Sequence, residues 1–283
     1  MNYATADRAI IFLHLPKCAG TTLSRLIEWE YPARQIYSID PSYFRWSHRK
    51  LMRLSSKRLA RMLIFKGHMP FGLHARLPRP ATYITFVREP VERIISEYYF
   101  MRHHRLHPQY RRLQTLSLEK YAAGTPHHNV QTKLVSGRGD YPDFLAGDCN
   151  DETLALAKNN LAKHFTFAGL TERFDEGLAA LKLLFGWNLS RYAHFNVTGR
   201  VRPKKDNVPA GTQALIAERN KYDVRLYEYV RLAYADALKA FGNRLNDELE
   251  SVHSAKALGP VDSAFYVTAS AVRKAIIRAH AAF

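Results

Sequence analysis

Lys17, Gly20, Thr21 and Thr22 stand close together where an apolar run ends, in IIFLHLPKCAGTTL over residues 10–23. A helical pattern, TTLSRLIEWEY, begins at once behind them. The first turn of a helix exposes backbone N–H groups and the positive end of the helix dipole, so a loop at that point attracts anions. Lys17 adds a mobile positive charge, Gly20 permits close backbone approach, Thr21 and Thr22 offer hydroxyl donors, and Cys18 and Ala19 contribute their backbone amides. The chemistry of the segment is that of a cradle for phosphate-like groups. Two further groups follow apolar runs in the same way. Lys66, Gly67 and His68 follow LIF, and Arg88 follows ITFV, with Ser96 two turns into the next helical pattern.

Strands are the elements that must place these groups. Apolar segments rich in β-branched and aromatic residues occur at about 9–14, 62–66, 81–87 and 165–169, with helical patterns between them. That alternation predicts an α/β fold with a mainly parallel sheet flanked by helices, in which ligands collect outside the carboxyl ends of the strands. From Arg93 to Leu161 the patterning is helical throughout, in SLEKYAAG, NVQTKLVSG and DETLALAKNNLAKH among others, and Pro90 stands at a first helical position. TERFDEGLAALKLLFGW predicts another helix, with the capping pattern at Thr171 only partly met. A basic, proline-punctuated loop, FNVTGRVRPKKDNVP, precedes the long helical pattern YDVRLYEYVRLAYADALKAF. One domain over 1–283 is the simplest organisation, with about 243–283 a helical C-terminal extension whose last stretch suits a basic amphipathic helix.

The chain has 283 residues, 47% of them hydrophobic, enough for a substantial core. No apolar run approaches the roughly 18 residues of a membrane span, and the first residues lack the layout of a signal peptide, so a cytoplasmic protein is expected from the chain as given. Two cysteines, Cys18 and Cys149, exclude a disulfide scaffold. Cys18 reads as a small space-filling side chain, and a positive loop would favour a reactive thiolate instead. The formal charge of +17 favours anionic ligands, with a solvated basic surface or nonspecific nucleic-acid affinity as the plainer readings. The pairs His103/His104 and His127/His128 point to different helix faces, no zinc-ligand spacing appears, and no metal is expected.

The order P-K-x-x-G-T-T differs from the nucleoside-triphosphate loop G-x-x-x-x-G-K-[ST], whose Lys follows its last Gly. It resembles the 5′-phosphosulfate loop of sulfotransferases. The wording HLPKCAGTTL is closest to the carbohydrate (heparan- and chondroitin-type) O-sulfotransferases and their bacterial relatives. The resemblance spans about residues 8–242. It implies a P-loop-like sulfotransferase fold, the donor 3′-phosphoadenosine 5′-phosphosulfate (PAPS), the product 3′,5′-ADP, and a hydroxyl-bearing acceptor, an anionic or neutral glycan. No specific nucleic-acid partner follows from it, and a eukaryotic relative would be Golgi-lumenal.

Carried onto this chain, the resemblance implies that Lys17 to Thr22 hold the phosphosulfate. Arg88 and Ser96 hold the donor's 3′-phosphate, and His68 is the base that takes the acceptor's proton, with His74 in reserve. GHMPFGLH carries both histidines. Gln131 and Lys133 are substrate contacts, and Thr198, Arg200, Lys204 and Lys205 belong to a basic segment that closes over the nucleotide. Each has a plainer reading: Arg88 pairs with Glu89 or Glu92 while Ser96 faces solvent, Arg93 and His14 are structural, and 196–205 is a solvated loop. Two other functions compete, an ATP-dependent P-loop kinase or NTPase and a non-catalytic basic module that binds polyanions or nucleic acid. Lipid-linked glycans, small hydroxylated metabolites and protein tyrosines stay open as acceptors.

Overall fold

β1 (Ala9–Leu13), β2 (Ile36–Ser38), β3 (Ile64–Gly67), β4 (Ala81–Val87) and β5 (Phe165–Leu170) form one sheet in the order β2-β3-β1-β4-β5. Every pairing is parallel. These are the features of a computed structural model that describes residues 8–39, 44–138, 147–189, 202–255, 272 and 275–277. A parallel sheet is covered on both faces, so its central strands read as unbroken apolar runs. All five residues of β1 are buried accordingly.

Helices α1 (Gly20–Glu30), α2 (Phe44–Met52), α3 (Ser56–Leu59), α4 (Pro90–His103), α5 (Tyr110–Leu113), α6 (Leu118–Gly124), α7 (Val130–Ser136) and α8 (Asp151–His164) fill the connections up to β5. Four more follow it: α9 (Phe174–Phe185), α10 (Ala210–Arg219), α11 (Lys221–Lys239) and α12 (Asn243–Ser254). The chain writes several of these starts locally. Pro90 opens α4 behind Glu89, whose carboxylate accepts from Glu92 N at 2.8 Å. Ser117 caps α6, and Asn150 with Thr153 forms a reciprocal capping box at α8. At Thr171 a short 3₁₀ turn replaces the partly met cap, and α9 begins at Phe174.

β1, β3, β4 and β5 lie where the apolar segments predicted strands, β3 displaced by about two residues; β2 was not anticipated. It is three residues long, too short for a periodicity. Residues 243–254 are helical, and this helix, α12, packs on α9 through Lys182–Glu248 (2.5 Å) and Lys182–Ser251 (2.9 Å). The basic helix expected in the last stretch lies outside the described residues except at 272 and 275–277, which are helical. No described helix is long and apolar enough to cross a membrane.

One polar contact inside this core sits close beneath the site. Lys66, inside β3, donates to Glu28 of α1 at 2.8 Å, and both side chains are almost fully buried. Lys66 is therefore committed to holding α1 against β3 and does not join Gly67 and His68 at the strand's open end. Glu28→Ala leaves an uncompensated buried ammonium, and denaturant unfolding should record a loss of about 3–5 kcal/mol. Pairing it with Lys66→Met should recover most of that loss, and no recovery would show that the pair does not act as a unit.

Candidate active site

β3, β1 and β4 are neighbours, so their carboxyl ends bring three groups side by side. The Lys17–Thr22 loop leaves β1, His68 leaves β3, and Arg88 leaves β4. In the loop, Lys17 (φ 67°) and Ala19 (φ 55°) take left-handed backbone conformations that ordinary residues rarely adopt. Alternating hands of this kind turn successive amides toward one concave side, an anion-binding arrangement. Behind it Thr22 N closes onto Ala19 O at 3.1 Å as α1 begins. Thr22 itself is buried, which leaves Thr21 as the half-exposed hydroxyl.

Gly20 is needed for a reason the loop's chemistry does not suggest. A Cβ at this position would lie 1.9 Å from the ring of His14, so the missing side chain makes room for an imidazole. That ring stacks on Phe12 and stands 4.2 Å, centroid to centroid, from the ring of His68. Burial first, then the charges of His68, Lys66 and Lys17, hold His14 well below the ordinary histidine range, so it is neutral.

His68 Nδ1 lies 2.7 Å from the carbonyl oxygen of His14. A carbonyl only accepts, so Nδ1 carries the hydrogen and a neutral His68 presents Nε2 as a bare lone pair. Burial pushes the His68 pKa down, the bond to His14 opposes that, and Lys17 lowers it further. The group is thus neutral and proton-accepting at pH 7. Gly67 (φ 136°) makes the preceding turn, where a Cβ would strike the carbonyl of Ile39 at 2.8 Å.

The Lys17 ammonium rests on the face of Phe100 from α4, 3.7 Å from the ring centroid. Burial pulls its pKa to about 8, Glu97 works against the shift, and Arg88 adds to it. The lysine is still charged at pH 7 but poorly hydrated, which strengthens its pull on any anion that reaches it. Cys18 is the opposite case. It is buried, its Sγ lies 3.5 Å from Gln131 Oε1, and burial raises its pKa to about 12. The positive loop does not make it a reactive thiolate; desolvation outweighs the neighbouring arginines.

Arg88 is held from several sides. Its Nη1 donates to Lys17 O at 3.1 Å and its Nη2 to Glu92 at 3.1 Å, while Nε is buried without a hydrogen-bond partner among the described residues. Gln131 clasps its backbone, accepting from Arg88 N at 2.8 Å and donating to Arg88 O at 2.9 Å. The helix that carries Gln131 is fixed by a distant aspartate. Asp223 of α11 accepts from the backbone amides of Gln131 and Thr132, at 3.2 and 2.8 Å. Asn129 returns the favour at α11, its Oδ1 accepting from Tyr222 N and Asp223 N. Each helix end is capped by a side chain of the other, which satisfies amides that α7's own start leaves open.

Among the expected contacts, Gln131 is 1% exposed and its side-chain amide is bonded to the Arg88 backbone. Lys133 is equally buried on α7. Ser96 is buried on α4 instead of facing solvent, and Arg88 does pair with Glu92. Arg93 is buried and donates to Glu97 at 2.8 Å through Nη1, with its Nε and Nη2 unpartnered among the described residues. His74 is not brought to the site. The chain turns back at Gly72 and sets His74 against Tyr83 and His164, at the amino ends of β4 and β5.

Thr198 and Arg200 lie outside the described residues. Lys204 is exposed, whereas Lys205 pairs with Glu89 at 3.2 Å. Arg202, which the sequence did not single out, pairs with Glu92 at 2.5 Å, so residues 202–205 are fastened over the start of α4. Phe100 was missed as well, and His14, read as structural, lies with its ring against that of His68. Phe100 and His14 flank the chemical residues at helical or strand spacing and look like packing residues in sequence.

The arrangement combines a charged, poorly hydrated lysine, first-turn amides, a guanidinium whose buried Nε has no partner among the described residues, and a neutral imidazole aimed by its own hydrogen bond. It suits transfer of an anionic group onto a nucleophile that must lose a proton. Among the described residues no cluster of three or more His, Cys, Asp or Glu is placed to hold a metal ion. The heparan sulfate 2-O-sulfotransferase hst-2 of Caenorhabditis elegans is similar at 22% identity, over 86% of this chain and 83% of that protein. A family model described as the sulfotransferase family matches residues 3–230, the segment that contains every strand and every group of the site. With this α/β architecture, the chain belongs to the sulfotransferase family.

Proposed function

We propose that the protein transfers a sulfuryl group from PAPS to a hydroxyl of a carbohydrate acceptor, with His68 as general base. One observation carries the reading: the carbonyl of His14 fixes the tautomer of His68, so that a neutral Nε2 stands at the same carboxyl end of the sheet as Lys17. The C. elegans relative is named for modifying heparan sulfate, which favours a glycan acceptor. The residues fit the donor. Arg88 keeps a buried Nε without a partner among the described residues, and the loop's left-handed turns suit an anion.

Bound PAPS supplies the activated sulfuryl group and departs as 3′,5′-ADP. His68 Nε2 accepts the hydroxyl proton as the acceptor oxygen attacks sulfur. Lys17 and the amides at the head of α1 stabilise the negative charge that gathers on the departing phosphate oxygen. Arg88 and Ser96 bind the 3′-phosphate, with Thr198, Arg200 and Lys204 as further contacts to the nucleotide. Incubation with labelled PAPS and a panel of glycans, followed by mass spectrometry, should show added sulfate. Calorimetry should show 3′,5′-ADP binding in the presence of chelator. Magnesium-dependent ATP binding with no response to 3′,5′-ADP would overturn the reading in favour of an NTPase.

Gln131→Leu removes both bonds that set the Arg88 backbone. Its expected effect is a roughly tenfold weaker 3′,5′-ADP affinity, about 1.4 kcal/mol, measured by calorimetry. Unchanged affinity would mean that Lys17 and Glu92 hold the guanidinium by themselves.

A further inference from the structure

Residues 41–88 contain eleven lysines and arginines and no aspartate or glutamate. Against a net charge of +17 for the whole chain, that concentrates the excess on one part of the molecule. Most of these cations lie on α2, α3 and the turns beside them. Arg53, Lys57 and Arg61 are exposed, and Lys50 is half-exposed. Lys50 is held below the ordinary lysine range by desolvation and by repulsion from Arg58. Arg76 donates to Met52 O at 2.8 Å and Arg79 to Ala60 O, which adds two more cations to the same surface.

Two large apolar side chains stand among them. Trp46 is 62% exposed and Met52 39%, while the other side of α2 buries Ser47 and Leu51. Lys50 lies 5.1 Å from the Trp46 ring centroid. The outward side of the helix thus alternates an aromatic ring and a thioether with cationic heads. Phosphates of a nucleic acid or sulfates of a polysaccharide would use the cations but give Met52 nothing to bury against. An anionic bilayer uses both: lipid headgroups meet the cations, and Trp and Met enter the boundary below them. The α3 end of this surface also lies at the other end of the sheet from the site. Ala60 to Leu63 and Pro80 border the amino ends of the strands, where Leu63 N bonds Gln35 O and Ala9 N bonds Pro80 O, while the Lys17 loop follows a carboxyl end. Docking there leaves the sulfuryl-transfer site open.

We propose that the α2–α3 surface docks the protein on an anionic membrane, with Trp46 and Met52 in the headgroup region and Lys50, Arg53, Lys57 and Arg61 on lipid phosphates. The proposal is independent of the transfer reaction, and vesicle binding is measured with no donor present. The full chain should float with phosphatidylglycerol vesicles, less so as salt rises, and not with phosphatidylcholine vesicles. The combined variant Lys50→Glu/Arg53→Glu/Lys57→Glu should lower that partitioning by at least about 10²-fold with an unchanged thermal midpoint, from about fivefold per cation. Trp46→Ala should weaken binding at every salt concentration, because it removes the apolar part. Equal binding to neutral vesicles, no binding to anionic ones, or full binding by the triple variant would overturn the proposal. So would retention on heparin or RNA through these residues with no vesicle binding.

Discussion

His68→Ala should lower sulfuryl transfer by about 10²–10⁴-fold while 3′,5′-ADP binds as before, the size expected when a positioned base is lost. The expectation rests on the ring's setting and not on its being a histidine, since the chain has 13 of them. His68 is the one whose Nδ1 is committed to a backbone carbonyl beside Lys17, so its Nε2 is the free acceptor. His68→Gln keeps a polar side chain but no proton-accepting nitrogen, and it should be as inactive as alanine. The split between binding and turnover separates a base from a residue that merely shapes the loop. Loss of 3′,5′-ADP affinity together with turnover would point to collapse of the His14–His68 stack, and transfer at the normal rate would remove His68 from its role. His74→Ala is the control. It sits with Tyr83 and His164 and should leave turnover near normal once stability is allowed for.

The contrast between those two histidines shows what was legible in the sequence. Lys17, Gly20 and Thr21 could be read because strand, turn and helix start follow one another locally, and so could the Asn150 box at α8. Arg88 was legible as the residue leaving an apolar run. His68 and His74 fall in one short segment, and only the turn at Gly72 separates them in space. What stayed hidden depends on partners far along the chain. Gln131 meets Arg88, Asp223 caps α7, Lys66 meets Glu28 and Arg202 meets Glu92, and none of these pairs leaves a periodic trace. Gly20 was read as a place where a ligand comes close, and the group the fold brings against it is the ring of His14. The sheet's parallel character followed from alternating segments. Its order, with a three-residue β2 at the edge, did not.

Lys17→Met should cost about 10²–10³-fold in turnover, because it removes the charge nearest the departing phosphate oxygen from a poorly hydrated site. The structure makes a sharper test available through pH. Burial sets the Lys17 pKa near 8, so the charged form declines as pH rises through that value, and kcat/KM should fall with it. His68 is lowered from its ordinary value near 6.5, so the acid limb should lie below that, where the ring gains a proton and stops accepting one. A bell results, its alkaline side belonging to a lysine. An anionic donor in contact with Lys17 favours the ammonium, so the alkaline limb of kcat should lie at higher pH than that of kcat/KM, which reports the free enzyme. Lys17→Arg keeps its charge at any workable pH. It should therefore abolish the alkaline limb while retaining part of the activity, although the guanidinium's shape differs and its seat on Phe100 is made for an ammonium. A wild-type kcat/KM that stays flat to about pH 9.5, or an alkaline limb that survives Lys17→Arg, would assign that limb to another group and take Lys17 out of the charge-stabilising role.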